Sequence, residues 1–406
     1  MRILVLTSTF PRWVNDKEPE FVLDLCRYLN SNSIEIDVLA PHSHGAAKYE
    51  AMDNISVYRY QYYFNQYQSL AYAGGIMANL KSNPFRYFQL PFFILFQTIA
   101  LMSRLGKVEY DLIHAHWLIP QGFIAAIVKT ISRNKNIQII CTSHGGDLYA
   151  LDNSVFRILK RWTINQCREF CVVSQAMERK AASLGIIGDQ IHVMPMGVDF
   201  DKLFRPVPGI QRKQRQIIFV GRLVEKKGVD ILINSFAEVS RTLPGCNLQI
   251  IGDGPKRPEL EKLMKELGLE ENVLFSGSVN HHALPKYYSS ASLAIVPSIV
   301  AASGDQEGLG LVSLEAMGCG CAVIASSLEA IGDVIDNDTG VLVNPGDSSE
   351  LSRAIIDLLN DPQKRMKLAQ QGQEKARQLF SWEVSGGRYL ELIRATNRGM
   401  KSDLLG

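Results

Sequence analysis

Gly304 to Ala325 reads GDQEGLGLVSLEAMGCGCAVIA, and this stretch decides the fold. It opens as an acidic, glycine-rich turn, runs into a short helical segment, and passes through a second glycine turn into an apolar strand. Loop, helix and strand in that order belong to an α/β sheet. Glu307 and Glu315 stand with seven residues between them. Gly308 and Gly310 carry no side chains where Glu307 meets the helix start, so the amides of Gly308, Leu309, Gly310 and Leu311 can face an anion. Glu315, about two turns further on, is expected roughly on the same face. Two carboxylates flanking exposed amides suit a polyol at one end, a ribose at the other and phosphate between.

The same alternation recurs on both sides. Arg2–Thr9 is an apolar strand, Glu20–Asn30 a helix and Ile34–Ala40 the next strand. Further strands are expected at Ile55–Tyr63, Tyr110–Ala115, Gln138–Ser143 and Phe170–Val173. Residues 64–84 read as loop. Phe85–Leu105 is the most apolar stretch, and Leu90–Met102 holds no charge. That uncharged run is about half of what a bilayer span needs. It is expected as a buried helix, the alternative being an interfacial helix on an anionic membrane. A polar, proline-containing connection then leads to a second set: strands at Gln216–Val220, Leu248–Ile251, Val273–Ser276, Leu293–Val296 and Ala322–Ala325, separated by helices. The fold class is α/β, two Rossmann-like doubly wound domains facing a cleft. The boundaries are 1–204 for the first domain, joined by a closing helix at 380–395, then a linker at 205–214 and the second domain at 215–379. Ligands are expected outside the C-terminal ends of the strands.

Several motifs sit at those ends. Gly221-Arg222-Leu223 follows the first strand of the second half and continues to Lys226-Lys227-Gly228. Arg222 and one of the lysines can converge there on a pyrophosphate beside a helix start; Lys226 reads as a solvated neighbour of Lys227. Gly252 and Gly254, in IIGDGP, would let backbone approach a nucleotide closely, with Asp253 a turn residue. In the first half, Thr142-Ser143-His144-Gly145-Gly146-Asp147 puts a histidine in a glycine turn after a strand. His114 and His116, in HAHW, face one side of a strand but lack a third ligand, so no metal site is expected. His281 and His282 read as loop residues.

Together these motifs resemble the retaining GT-B glycosyltransferases of family 4. The resemblance rests on the E-x7-E element Glu307–Glu315, the G-R-L-x-x-x-K-G clamp, the strand–glycine turn at Gly252–Pro255, the segment FSGSV at 275–279, HAHW, SHGGD and the closing FSWE at 380–383. It covers nearly the whole chain. It implies that Arg222 and Lys227 bind a diphosphate, that Glu307 accepts from sugar hydroxyls, that Glu315 accepts from the ribose, and that backbone near Val279 meets the base. It places His144 by the transferred sugar. Asp147, His116, Phe10 and Arg12 fall on the acceptor side. Near Phe10 the family's common Gly-Gly pair is replaced by FPRW and a later D-x-E-P, which leaves the acceptor contacts open. The implied reaction is metal-independent, same-face transfer from a nucleotide-sugar, UDP-linked before GDP-linked, with no cofactor. The acceptor is expected to be a glycan or lipid-linked saccharide of bacterial surface polysaccharide assembly. The alternatives are a binding protein without turnover and a nucleotide-sugar epimerase.

Composition excludes other classes. Residues 1–214 carry 23 Lys and Arg against 17 Asp and Glu, and the remainder 20 against 24. The first half is mildly basic, which suits an acidic substrate or an anionic membrane but not nucleic acid. No G-x-G-x-x-G follows the first strand, which argues against a hydride-transferring enzyme. The seven cysteines show no disulfide or zinc spacing. A cytoplasmic protein is expected; peripheral contact at the inner face of the plasma membrane, through residues 85–107, belongs to the alternative in which that stretch is an interfacial helix.

Overall fold

The computed structural model describes the whole chain except residues 15, 73, 133–135, 151, 187, 189 and 404–406, and the side chains of 399–403. It forms two compact units, residues 1–196 with 385–406 and residues 197–384.

The first unit is built on β1 (Arg2–Leu6), α1 (Phe21–Ser31), β2 (Glu35–Pro41), β3 (Tyr49–Met52), β4 (Ile55–Tyr60), α2 (Ile76–Ser82), α3 (Leu90–Lys107), β5 (Leu112–His116), α4 (Phe123–Ile131), β6 (Gln138–Ser143), α5 (Gly146–Tyr149), α6 (Ser154–Gln166), β7 (Glu169–Val172), α7 (Gln175–Ser183) and β8 (Ile191–Val193). The sheet order is β3-β4-β2-β1-β5-β6-β7-β8, parallel except for the edge strand β3. The order reverses between β1 and β5. Strands sandwiched by helices must be apolar on both faces, and β5 is buried along its whole length although it carries two histidines.

The second unit contains β9 (Lys213–Val220), α8 (Val229–Thr242), β10 (Asn247–Ile251), α9 (Arg257–Glu266), β11 (Val273–Gly277), α10 (Leu284–Ser290), β12 (Ala291–Val296), α11 (Leu311–Gly318), β13 (Ala322–Ser326), α12 (Glu329–Gly332), β14 (Val341–Val343), α13 (Ser348–Asn360) and α14 (Pro362–Phe380). Its sheet runs β11-β10-β9-β12-β13-β14, all parallel. This is the doubly wound order with its reversal between β9 and β12, where loops diverge and leave a crevice. Ile217, Phe219, Leu232, Phe236, Leu293 and Ile324 form the centre of its core. The last helix, α15 (Trp382–Asp403), begins in this unit and ends in the first.

The structure moves several of the sequence expectations. The boundary falls at 196/197, because residues 197–212 pack on the second unit: Val198 N donates to Phe380 O at 2.8 Å, and Val207 N to Ser289 Oγ at 3.0 Å. The return falls at 384/385 rather than 380. Residues 64–84, expected as loop, contain α2. The apolar stretch after residue 85 is not a buried helix. Only Phe93, Gln97 and Leu101 of α3 are buried, because a helix packed on one face of the sheet, over β2 and β4 and beside α4, buries one stripe, whatever its composition.

Candidate functional site

In the second unit the site grows from the β9/β12 reversal. β9 delivers the turn Gly221–Gly228, and β12 delivers the loop that carries Glu307 and ends at α11. Lys227 Nζ lies 2.9 Å from Glu307 Oε1, an ion pair out of line for a hydrogen bond. Burial by itself would raise the Glu307 carboxyl, but the charges of Lys227 and then Lys226 outweigh it and hold the group below the ordinary range. Lys226 is not a solvated neighbour: its ammonium donates to Asp305 Oδ1 at 3.1 Å and to Gln306 O at 3.3 Å. Its carbonyl accepts from Ile299 N, and Glu225 Oε1 accepts from Ala302 N. The 3-10 turn Glu225–Lys227 thus grips the loop on which Glu307 rides. Arg222, three residues ahead of that turn, is exposed.

Gly252 and Gly254 serve backbone packing. A Cβ on Gly252, where φ is +139°, would fall 1.8 Å from Gly221 O, and one on Gly254 would fall 2.4 Å from Leu223 O. The close approach expected for a nucleotide is made instead by the neighbouring turn, with Leu223 N donating to Asp253 O at 2.9 Å. Val279 lies half-buried just beyond β11. Gly310, at φ +83°, starts α11, and no side chain caps that helix. Glu307 precedes the helix, so the two glutamates do not share a helical face. Glu315 is buried with both oxygens engaged: Tyr288 Oη donates to Oε2 at 3.1 Å, and His281 Nε2 lies 3.1 Å from Oε1. His281 packs edge-on against Phe204 at 5.0 Å. It braces a site carboxylate and is not a bystander loop residue. The buried hydroxyls Ser298 Oγ and Ser313 Oγ, after β12 and within α11, have no hydrogen-bond partner among the described residues. Buried polar groups are normally satisfied, so unpaired ones clustered at a strand-order reversal mark a place for a polar ligand.

In the first unit, β5 and β6 end side by side and carry His116 and the His144 turn. His116 Nδ1 and His144 Nε2 are 2.9 Å apart and the rings stack at 12°. Phe21 and Trp117 pack on His144 at 5.0 and 4.9 Å. Burial, then the neighbouring His114, pushes His144 down to about 3, so the imidazole is neutral at physiological pH. Asp147 accepts from Leu118 N at 2.6 Å and from His144 N at 3.2 Å and thereby ties both strand-end loops together. Burial raises its carboxyl, with those amides opposing. Beneath the turn, the fully buried Lys160 donates to Leu148 O at 2.8 Å and Ala150 O at 2.7 Å, and burial lowers it to about 8.

Three first-unit residues differ from expectation. His116 is fully buried and acts on its surroundings through His144, because β5 sits inside the sheet. The Phe10 side chain is also fully buried and anchors the loop after β1 rather than facing an acceptor. Arg12 holds Asp16 with two bonds of 2.7 Å and lies over Trp13 at 4.5 Å. His114 is buried and structural, with Nε2 2.9 Å from Thr142 Oγ1. Sequence motifs do not point to Tyr288, Ser298 or Lys160. Ser313 lies inside the E-x7-E stretch, and that position is its only signal.

Known proteins share the family and the fold of this chain. Residues 200–375 match the family described as glycosyl transferases group 1, and residues 20–202 match glycosyltransferase family 4. A GDP-mannose-dependent alpha-(1-6)-phosphatidylinositol monomannoside mannosyltransferase of Mycolicibacterium smegmatis is 28% identical, over 76% of this chain and 84% of its own. An uncharacterized glycosyltransferase of Methanocaldococcus jannaschii is 30% identical, over 67% and 72%. Among solved structures, a sucrose-phosphate synthase from Thermosynechococcus elongatus superposes with a TM-score of 0.79 at 23% identity, over 97% and 98% of the two chains. An Anabaena protein in complex with UDP and glucose superposes with a TM-score of 0.73 at 20% identity, over 97% and 100%. At these identities the last two speak for the fold.

Proposed function

Because this chain belongs to the family 4 glycosyltransferases, with the GT-B fold, we propose that it moves a sugar from a nucleoside-diphosphate sugar to an acceptor hydroxyl with retention at the anomeric carbon. The observation that carries this reading is the β9/β12 reversal. There Lys227 pairs with Glu307, α11 offers uncapped amides, and Ser298 and Ser313 hold unpaired hydroxyls. Arg222, Lys227 and the amides of Gly310 and Leu311 receive the diphosphate and stabilise the charge that builds on it as the glycosidic bond breaks. Glu307, ionised at neutral pH, accepts from hydroxyls of the sugar. Glu315 accepts from the ribose while Tyr288 and His281 fix its orientation. The acceptor attacks the face the leaving group vacates and passes its proton to a phosphate oxygen, so no protein base is required. In the first unit, neutral His144 offers a hydrogen bond to a sugar hydroxyl, and Asp147 holds its turn in place.

GDP-mannose is the first donor to test, since the M. smegmatis relative is named for it, with UDP-glucose second. The same relative makes a lipid-linked saccharide the acceptor of choice. The test is a thermal-shift panel of GDP-mannose, UDP-glucose, GDP and UDP, followed by transfer assays in EDTA with the product's anomeric configuration read by NMR. A donor at about a hundred times its dissociation constant adds about 2.7 kcal/mol of apparent stability. Stabilisation by one base class and a retained configuration support the reading. An inverted product or EDTA-sensitive turnover refutes its mechanism, and stabilisation without turnover on any acceptor reduces the protein to a binder.

A further inference from the structure

α3 violates the ordinary rule for a surface helix. Its inner stripe, Phe93, Gln97 and Leu101, packs on the first unit, with the Phe93 ring 5.5 Å from Tyr60 and 5.1 Å from Tyr62. The opposite stripe should then be polar. It is Phe92, Leu95, Phe96, Ile99 and Met102, at helical spacing, and all five are exposed, Leu95 at 52% and Ile99 at 50%. The preceding 3-10 turn, Pro84–Gln89, adds Phe85 at 79% and Phe88 at 70%, and Phe64 and Tyr67 are exposed as well. The stretch Pro84–Lys107 is long and apolar enough to cross a bilayer. Its inner stripe is committed to the protein, however, so the helix, about 27 Å long, lies along the surface of the unit.

Charge says what covers this face. Between Asp53 and Glu109 the chain contains no Asp or Glu, while it carries Arg59, Lys81, Arg86, Arg104 and Lys107. Two of these are spent internally. Arg59 is buried against Pro11 O and Glu50, and Arg104 bonds Asp37 at 2.9 Å and lies 3.8 Å over the Tyr58 ring. Arg86 pins the turn through Ser82 Oγ at 2.7 Å and Asn79. Lys81 and Lys107 remain exposed, one in the last turn of α2 and one at the end of α3. An aromatic-rich apolar face with exposed lysines and no carboxylate in its own segment matches an anionic lipid surface: rings and aliphatic chains enter the acyl boundary and the ammonium groups meet phosphate.

We propose that the face formed by Phe64, Tyr67, the turn Pro84–Gln89 and the outer stripe of α3 is a monotopic docking surface for an anionic bilayer, with α3 lying in the membrane plane. This does not rest on the sugar-transfer reading. Vesicle binding by a protein that ignores every nucleotide-sugar would sink that reading and leave the docking intact.

The test is flotation of the full chain with phosphatidylcholine vesicles containing about 30 mol% phosphatidylglycerol, beside pure phosphatidylcholine. The protein floats with the anionic vesicles, and the bound fraction falls several-fold between about 50 and about 500 mM salt. L95E/I99E, both at exposed positions, reduces partition by about tenfold or more, and K81E/K107E removes the preference for anionic lipid. A cooperative thermal unfolding transition in L95E/I99E, with a midpoint near that of the wild type, reports that it is folded. Should that variant fail to fold, Phe88→Trp decides: the emission of its indole shifts to the blue and is quenched by brominated lipid. A wild-type protein that does not float, charge variants that float equally well, or an F88W emission unmoved by vesicles each overturn the proposal. So does a concentration-dependent dimer that L95E/I99E dissolves while vesicles have no effect, since a second copy would then be the occupant.

Discussion

Replacing Lys227 by Met keeps the aliphatic stem and deletes the charge 2.9 Å from the buried Glu307 carboxylate. Breaking a buried pair by removing one partner costs about 3–5 kcal/mol. Here the side chains keep 14% and 10% of their surface, and Lys226 still acts on Glu307, so about 2–3 kcal/mol is the expected loss at pH 7. The pH dependence follows from the direction of the Glu307 shift. In the wild type the folded carboxyl is depressed, so its stabilisation is present above the unfolded value and is lost as pH falls through the folded one. In Lys227→Met, burial dominates, the carboxyl titrates higher than in the unfolded chain, and stability is lost as pH rises through that raised value. The difference between the two proteins is therefore small near pH 4 and grows to its full size by pH 7, a window set by the ordinary carboxylate range. Urea unfolding at both pH values measures it, and E307Q added to Lys227→Met recovers part of the loss without restoring transfer, which falls about 100-fold or more. Equal stability at pH 7, or a difference that ignores pH, would refute the account of this pair.

Two further outcomes are expected. Lys160→Met leaves Leu148 O and Ala150 O unpaired and destabilises the protein by about 2–4 kcal/mol at pH 7. In the wild type Lys160 titrates near 8 against an ordinary 10.5, so the unfolded chain binds the extra proton between those values and the group's contribution to stability rises with pH across that window. The wild-type-minus-variant stability difference should climb between pH 8 and 10.5, and a flat difference would show that the amine is not held neutral by burial. His281→Leu removes one of the two bonds to Glu315. Steady-state kinetics should then show the donor KM raised about 3- to 10-fold with kcat nearly kept; an unchanged KM would show that the brace does not position Glu315 for the donor.

The local pattern is enough for the two α/β halves and for the strand-end placement of each motif. Parallel strands buried on both faces read as apolar runs, and glycine turns after them are visible in one dimension. Direction and partner are not legible in this way. Spacing alone does not tell which lysine of Lys226-Lys227 reaches Glu307 and which braces Asp305, since both sit in one 3-10 turn and only the loop after β12 separates them. Nothing local ties His281 to Glu315, 34 positions away. Gly252 reads as room for a ligand because the turn it actually meets belongs to another strand. His116 and Phe10 look like site residues by motif, yet the sheet places their side chains in the core.

The sequence by itself determined that residues 85–107 would be apolar and would contain no carboxylate of their own. Whether that helix was buried depended on how much of its circumference the sheet and its neighbouring helix could cover. A cylinder resting on one side of a unit buries one stripe, so burial is a property of the packing, and the exposed aromatic face exists only in the folded protein.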